Sequence, residues 1–454
     1  MFFMAKILIS ALGTGISRQE ENERKYMPAV YRFSGTGKEY KTSFVAAALC
    51  EHLKVDRLYL VGTPKSMWEE VYRYYTEAAN LQEDRKYKNL MADKAKSFNV
   101  KDAEGNKDRI NEEDLGKLNL TIDFYLKSIR KSATGGSKCF VIEYGLNETE
   151  LWNNFNTLLR ISDMLEEDDE VYLDITHAFR SIALFNYITL DLIGILKFKK
   201  AFKLSGLYYG MLDIKGELEY APIVDLSPYF NMTLWARAAY NFINFGNGYL
   251  LADLIHNRDL SENIRKISEI VNINYIDDFR ENIKALNRLL ENSPHAEPVI
   301  RHMFPYLSDF AKRFKGIKTN GELQFALAEW YFENKRYAQG YICLAESIRT
   351  RLLELYQDRG ETVNWDENDR KKIKYLITKY LKENPEYCKI SLEYKIINGI
   401  RNTIAHAGYS GNKSLDRDIR KAIDHVNELK KCLFNNPKIE KIPDEYPFNM
   451  LRTK

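Results

Sequence analysis

The sequence predicts a chain of two unlike halves, an α/β half with a mostly parallel sheet over residues 1–228 and an all-α half over residues 229–454. Three observations predict it. Over the first ~225 residues, short apolar runs alternate with amphipathic stretches long enough for helices, the pattern of βαβ units. From Leu234 onward the apolar spacing is almost wholly helical, with no strand alternation. Between the two lies DLSPYF, where Pro228 disfavours helix at Ser227.

Taken in order, KILISALG reads as a buried first strand and TSFVAAALCEHL as a helix. DRLYLVGT is a strand and KSMWEEVYRYYTEAANL a helix. The stretch from about Gln82 to Lys117 is rich in charge and poor in periodicity, and is predicted to be a solvated insertion. KCFVIEYG (strand), ETELWNNFNTLLRISDML (helix), EVYLDIT (strand) and FRSIALFNYITLDLIGIL (helix) complete a Rossmann-like alternation. KLSGLYYGMLDIKGELEYAPIV reads as an edge hairpin turning at Lys215-Gly216. In the second half, ALAEWYFENKRYAQGYICLAESI has the form of a helix-turn-helix pair without a second copy at a fixed period.

An apolar fraction of 45% and a charged fraction of 29% belong to a folded globular chain. Lys+Arg 67 against Asp+Glu 64 is nearly balanced, which gives no evidence for a broad nucleic-acid or membrane surface and leaves any anion to be held locally. The five cysteines form no C-x-x-C pair, so free buried thiols in a reducing compartment are expected, with no structural metal site. The opening residues lack a basic n-region and cleavage site, and SIALFNYITLDLIGIL is broken by Asn186 and Asp191. A cytoplasmic protein without a membrane span is the expectation.

In an open parallel sheet, ligands bind beyond the carboxyl ends of the strands. Four such ends carry small polar residues: Ser10 to Gly15, Val61-Gly62-Thr63, Tyr144-Gly145, and Asp174 to His177. Gly13, Thr14 and Gly15 allow backbone N–H groups close approach to an anion, as does Thr63. DITHAFRS gathers more: Asp174 closes a strand, Thr176 or His177 can cap the next helix, and Arg180 and Ser181 follow in its first turn. Together these ends predict a site for a phosphate-containing ligand.

In the helical half, Arg401-Asn402-Thr403-Ile404-Ala405-His406 is the chemical candidate. Asn402 and His406 are four apart and share a helix face, with small residues around the histidine. A histidine can move a proton at the 2′-hydroxyl or leaving oxygen of RNA, and an arginine can stabilise charge on phosphoryl oxygens without a metal. Arg420 and His425 offer a competing pair in a charged amphipathic helix. One Arg and one His make a thin site, so a two-fold dimer that unites two motifs is expected.

These segments together give a likeness of nearly full length. KILISALGTG, YKTSFVAAAL, DITHAFRS (close to a D-x-T-H-G-F-R signature, with Ala178 at the usual glycine), YYGMLD with PIVDLSPY, and RNTIAH (an R-x4–6-H motif) occur in order. The chain resembles the CRISPR-associated ribonucleases of type III systems that join a CARF domain to a HEPN domain. The resemblance implies a homodimer, or a higher oligomer, whose CARF halves bind a cyclic oligoadenylate on Gly13–Gly15, Thr63 and Thr176–Ser181. It implies no cofactor beyond that activator, with the tetra-adenylate the first expectation and the hexa-adenylate the second. It further implies that Arg401, Asn402 and His406 cut single-stranded RNA without metal, leaving a 2′,3′-cyclic phosphate. The alternative is a non-catalytic nucleotide-sensing regulator with a helical interaction domain. A dinucleotide enzyme is disfavoured by the missing G-x-G-x-x-G fingerprint.

Overall fold

The computed structural model describes residues 4–14, 26, 28–96, 109–177, 180–196, 203–292, 298–406 and 415–451. Two compact units divide between Asn231 and Met232. In the first, the strands β1 (Lys6–Leu12), β2 (Ala29–Phe33), β3 (Glu39–Thr42), β4 (Arg57–Gly62), β5 (Lys138–Val141), β6 (Glu170–Asp174), β7 (Lys203–Gly210) and β8 (Ala221–Asp225) form one sheet. Their order is β3-β2-β8-β7-β6-β1-β4-β5. The run from β7 through β6, β1 and β4 to β5 is parallel throughout. β8 turns antiparallel to β7, β2 runs parallel to β8, and β3 closes the edge antiparallel to β2.

Strand periodicity sends neighbouring side chains to opposite faces. Leu8, Leu58 and Leu60 pack with α1 (Val45–Leu53), α2 (Trp68–Ala78), α3 (Arg85–Lys96) and α4 (Gly116–Ile129). Ile7, Ile9, Tyr59 and Val61 pack on the other face with α5 (Glu148–Asp163) and α6 (Arg180–Leu196). An α/β half with a mostly parallel sheet covered on both faces is the predicted architecture.

Three sequence readings are corrected. The 82–117 segment is no solvated excursion in its described part. Met91 and Ala95 of α3, with Ile110 and Leu115, are buried in the same core as β4. Tyr87 closes edge-on over Tyr72 at 4.8 Å and donates its hydroxyl to the Asp114 carbonyl at 2.7 Å. The helical stripe Tyr87, Met91, Ala95 is diluted by polar and charged neighbours, which hid its period. Residues 97–108 of that segment lie outside the described residues. The β7–β8 pair is not a tight hairpin and not an edge. Lys215-Gly216 lies in α7 (Lys215–Leu218), a helical turn between the strands, and β2 and β3 extend the sheet beyond β8. Finally, α8 (Ser227–Phe245) begins at the residue that Pro228 was expected to keep out of helix. Asp225 Oδ1 accepts from the Ser227 N–H at 2.8 Å, and a proline in the first helical turn forfeits no helical hydrogen bond.

The second unit continues through α9 (Tyr249–Leu254), α10 (Arg258–Ile273), α11 (Ile276–Glu291), α12 (Pro298–Arg313), α13 (Asn320–Glu333) and α14 (Tyr337–Asp358). It ends with α15 (Glu367–Tyr375), α16 (Leu381–Glu383), α17 (Cys388–Ala405), α18 (Leu415–Arg420), α19 (Ala422–Leu429) and α20 (Ile442–Glu445). A π-helical turn, Leu376–Tyr380, carries α15 straight into α16. The predicted helix-turn-helix is α13 with α14. Gly340 there lets the Phe332 ring approach so closely that a Cβ would sit 2.5 Å from it. α14 is the axis of this unit: Leu344, Ile348, Leu352 and Tyr356 are fully buried, and α13, α15, α17 and α19 all pack on it. All five cysteines are free, with Cys50, Cys139 and Cys343 buried and the other two partly exposed.

Because the unit is organised around α14, Leu344→Ala is expected to cost about 2–5 kcal/mol, the cavity range for a buried leucine. Urea unfolding measures it, and a change under about 0.5 kcal/mol would contradict this placing of the core.

Candidate functional site

The parallel run of the sheet brings the ends of β1, β4 and β6 side by side. Ser10 is a lone hydroxyl in an otherwise apolar strand, 1% exposed, and donates to Asp174 Oδ2 at 2.6 Å. Asp174 is completely buried at the end of β6. Its Oδ1 accepts from the Thr176 N–H at 2.9 Å and the Thr176 hydroxyl at 2.6 Å. The Thr176 hydroxyl oxygen in turn accepts from the Gly210 N–H at 2.8 Å, which ties in the end of β7. Thr176 therefore turns back to the carboxylate and leaves no hydroxyl to cap the helix, one of the two capping options the sequence offered.

Gly13 continues β1 into this cluster. A Cβ there would stand 2.6 Å from the His177 carbonyl oxygen, so only glycine admits the approach of the two loops. The Gly13 carbonyl accepts from the Tyr26 hydroxyl at 2.8 Å and from the Met67 N–H at 3.2 Å. Tyr26 leans over the His177 ring with centroids 5.2 Å apart. The His177 Nε2 is buried with no hydrogen-bond partner among the described residues. Burial lowers the His177 pKa from its usual value, and the nearby Asp174 carboxylate offsets this only in part. An imidazole whose enclosed Nε2 has no described partner keeps one hydrogen-bonding position unused.

The structure brings together Gly13, Thr176 and His177, with partly exposed Thr14 beside them. Thr63 is only 1% exposed; Ser66 Oγ accepts from its N–H at 2.9 Å, then donates to the Leu12 carbonyl at 2.7 Å. Thr63 thus fastens the β4 end to β1, with its side chain turned inward. Gly15 lies outside the described residues, and Arg180 and Ser181 open α6 with side chains that are likewise not described. The fourth strand end, Tyr144-Gly145, stands apart. The Gly145 and Leu146 N–H groups both donate to Glu150 Oε2, at 3.0 and 2.9 Å, so that nest already holds an anion of its own. Ser66 and Tyr26 were not singled out by sequence, and Ser10 was named only as the start of the first strand end.

In the helical unit, Arg401 and Asn402 occupy the last turn of α17, and His406 is its C-cap residue, exposed. Arg401 Nη1 donates to Asn402 Oδ1 at 3.1 Å, and the His406 N–H reaches the Asn402 carbonyl at 3.0 Å. Asn402 thus links the guanidinium to the turn that carries the histidine. The competing histidine is engaged elsewhere. His425 is 7% exposed and its Nδ1 lies 2.7 Å from Glu393 Oε2 of α17, with Tyr341 edge-on. It packs inside the unit on the buried face of α19, in the charged amphipathic helix that the sequence predicts. Among the described residues, no cluster of three His, Cys, Asp or Glu side chains could hold a metal ion. None of the described helices is long and apolar enough to cross a membrane.

Against known proteins, residues 7–213 match the family model of the CARF domain of CRISPR system endoribonuclease Csx1. Residues 231–319 match that of the second domain of CRISPR-associated protein MJ1674. Over 449 residues the chain is 37% identical to CRISPR-associated protein MJ1674 of Methanocaldococcus jannaschii, covering 97% of this chain and 68% of that protein. The chain is thus a CARF-containing CRISPR-associated protein. Within that class, the chain belongs to the family of MJ1674. A solved structure, Enterococcus italicus Csm6 bound to cyclic hexa-2'-fluoro-hexa-dAMP, aligns over 98% of both chains at 13% identity, with a TM-score of 0.42.

Two measurements check the strand-end geometry. Ser10→Ala leaves one oxygen of a buried carboxylate without its donor and is expected to cost about 1–3 kcal/mol in chemical unfolding; an unchanged midpoint would contradict the network. The lowered His177 pKa carries a sign: folding favours the neutral ring, so its contribution is intact above the ordinary value of 6.5 and is lost as pH falls from there through the lower folded value. His177→Asn is expected to lose less melting temperature than wild type between about pH 7.5 and about pH 5.5. Equal losses would contradict the assignment.

Proposed function

We propose that the chain is a cyclic-oligoadenylate-activated endoribonuclease of type III CRISPR defence that cuts single-stranded RNA non-specifically and without a metal. The tetra-adenylate is taken as the activator ahead of the hexa-adenylate. The observation that carries the reading is the Arg401–Asn402–His406 turn: a guanidinium, an amide that holds it, and an exposed imidazole at one helix end. Membership of a CRISPR-associated family supports it, as does a matching CARF model whose parent protein is described as an endoribonuclease.

In this reading the helical unit contains a HEPN domain. His406 takes the 2′-hydroxyl proton or supplies one to the leaving 5′-oxygen. The 2′-oxygen bonds to phosphorus as the P–O5′ bond breaks, giving a 2′,3′-cyclic phosphate and a free 5′-hydroxyl. Arg401 neutralises charge on the non-bridging oxygens. The reserved His177 nitrogen and the Thr14 loop are the groups that meet the activator.

A homodimer completes the proposal. On α6, Leu184, Ile188, Leu192 and Ile195 are 61%, 54%, 41% and 48% exposed at spacings of four, four and three, a continuous apolar stripe. An exposed stripe of this kind suits a second copy of the same helix across a two-fold axis.

The test is cleavage of a fluorescent single-stranded RNA in EDTA, with and without cyclic tetra- or hexa-adenylate, by wild type and His406→Ala. Ligand-dependent cleavage that survives chelation and disappears in the variant is expected, with a loss of at least about 100-fold. No cleavage by ligand-bound protein would leave the non-catalytic sensor, and cleavage persisting in His406→Ala would remove that residue. Ile188→Glu is expected to halve the mass measured by light scattering; an unchanged mass would contradict the α6 interface.

A further inference from the structure

Glu346 of α14 is the meeting point of three arginines delivered by three helices. Arg349, one turn along α14, donates to Glu346 Oε1 at 3.0 Å. Arg370 of α15 donates to Oε2 at 2.7 Å, and Arg401 Nη2 of α17 stands 3.8 Å from Oε1. Three guanidinium groups sharing one carboxylate leave a local excess of positive charge in a chain whose overall balance is nearly even.

The three are not equivalent. Arg349 is only 15% exposed and its remaining donors are engaged inward: Nε donates to the Tyr394 hydroxyl at 2.9 Å and Nη2 to Asn398 Oδ1 at 3.1 Å. It fixes Glu346 and adds charge without facing solvent. Arg370 and Arg401 are 47% and 34% exposed, and the described hydrogen bonds use one N–H of each. Arranging two partly exposed guanidiniums around a mostly buried carboxylate costs like-charge repulsion, and ion pairs at such exposure contribute little stability in return. A planar carboxylate between two forks has the shape and charge of a phosphate's paired oxygens.

We propose that Arg370 and Arg401 form a subsite for a backbone phosphate of single-stranded RNA, with Glu346 holding the anion's place until RNA arrives and Arg349 positioning Glu346. The placement beside the scissile bond rests on the ribonuclease reading above. The basic run RKKIKY of α15 thereby acquires an RNA-facing end at its first residue. Glu346 is a counterweight: it offsets part of the charge of Arg401, and an entering phosphate competes with it for the guanidinium.

The experiment is fluorescence anisotropy of a fluorescein-labelled single-stranded RNA on the full chain, in a His406→Ala background so that the probe survives, with both cyclic oligoadenylates present. Binding is titrated over a range of salt, and melting of each variant verifies folding. Arg370→Ala is expected to weaken binding about tenfold and to reduce the slope of log Kd against log salt by about 0.7, one single-strand phosphate contact. Glu346→Gln removes the placeholder's charge and is expected to tighten binding. An unchanged slope and affinity in Arg370→Ala, weaker binding by a folded Glu346→Gln, or no RNA binding at all would overturn the subsite. Failure of the nuclease reading is separable: an Arg370-dependent salt slope with no cleavage by the His406-containing protein removes the chemistry and keeps the subsite, while cleavage with an unchanged slope does the reverse.

Discussion

The buried carboxylate of Asp174 is the constraint on which the α/β half depends. Removing a charge from water is costly unless its lone pairs are met, and no described cation meets them. Ser10, from the neighbouring strand, and both donors of Thr176 do so instead. The same hydroxyl of Thr176 collects the Gly210 N–H, so one acidic side chain locks the ends of three strands. The neighbouring geometry is then nearly forced. The loop after β6 lies against the loop after β1, which requires Gly13 to lack a side chain. His177 is carried into a buried position where its ring stays neutral, and burial together with Asp174 keeps the Tyr31 hydroxyl protonated. A rigid frame with one unsatisfied nitrogen suits a ligand-recognition site, because the ordering cost has been met in folding.

In the helical half a second carboxylate organises its surroundings, with cations as its partners. Glu346 holds arginines of α14, α15 and α17, and Arg401 also holds Asn402, the residue whose carbonyl anchors the His406 turn. An overall balance of 67 basic to 64 acidic residues conceals this concentration. The positive charge of this unit is gathered locally, at one carboxylate shared by three guanidiniums. His425, by contrast, is tied to Glu393 and to the packing around Tyr341.

Much of this was legible in the sequence, and the omissions have physical causes. KILISALG, DRLYLVGT and EVYLDIT are continuous apolar runs because both faces of a parallel sheet are buried, and such runs announce themselves. β2 and β3 went unread: AVYRF and EYKT are short, half-polar segments, and β2 finds its parallel partner in β8, far along the chain. α3 was hidden by the charge on its outer face. Gly13, Thr176 and His177 were found because strand-end chemistry is local, while Tyr26 and Ser66 act through contacts that only folding makes. The RNTIAH motif was readable as a spacing. The Glu346 cluster was not, since Arg370 and Arg401 meet through a carboxylate on a third helix.

If the close approach of Gly13 to His177 forms the activator's seat, a single methyl group placed there should disturb binding. Calorimetric titration of cyclic tetra- and hexa-adenylate into wild type and Gly13→Ala measures this, with the melting of the helical half as the folding control. One of the rings is expected to bind wild type, and the variant, whose methyl would fall on the His177 carbonyl, is expected to bind it at least about tenfold more weakly. Equal affinity in the variant, or no heat from either ring with wild type, would contradict a seat at this position.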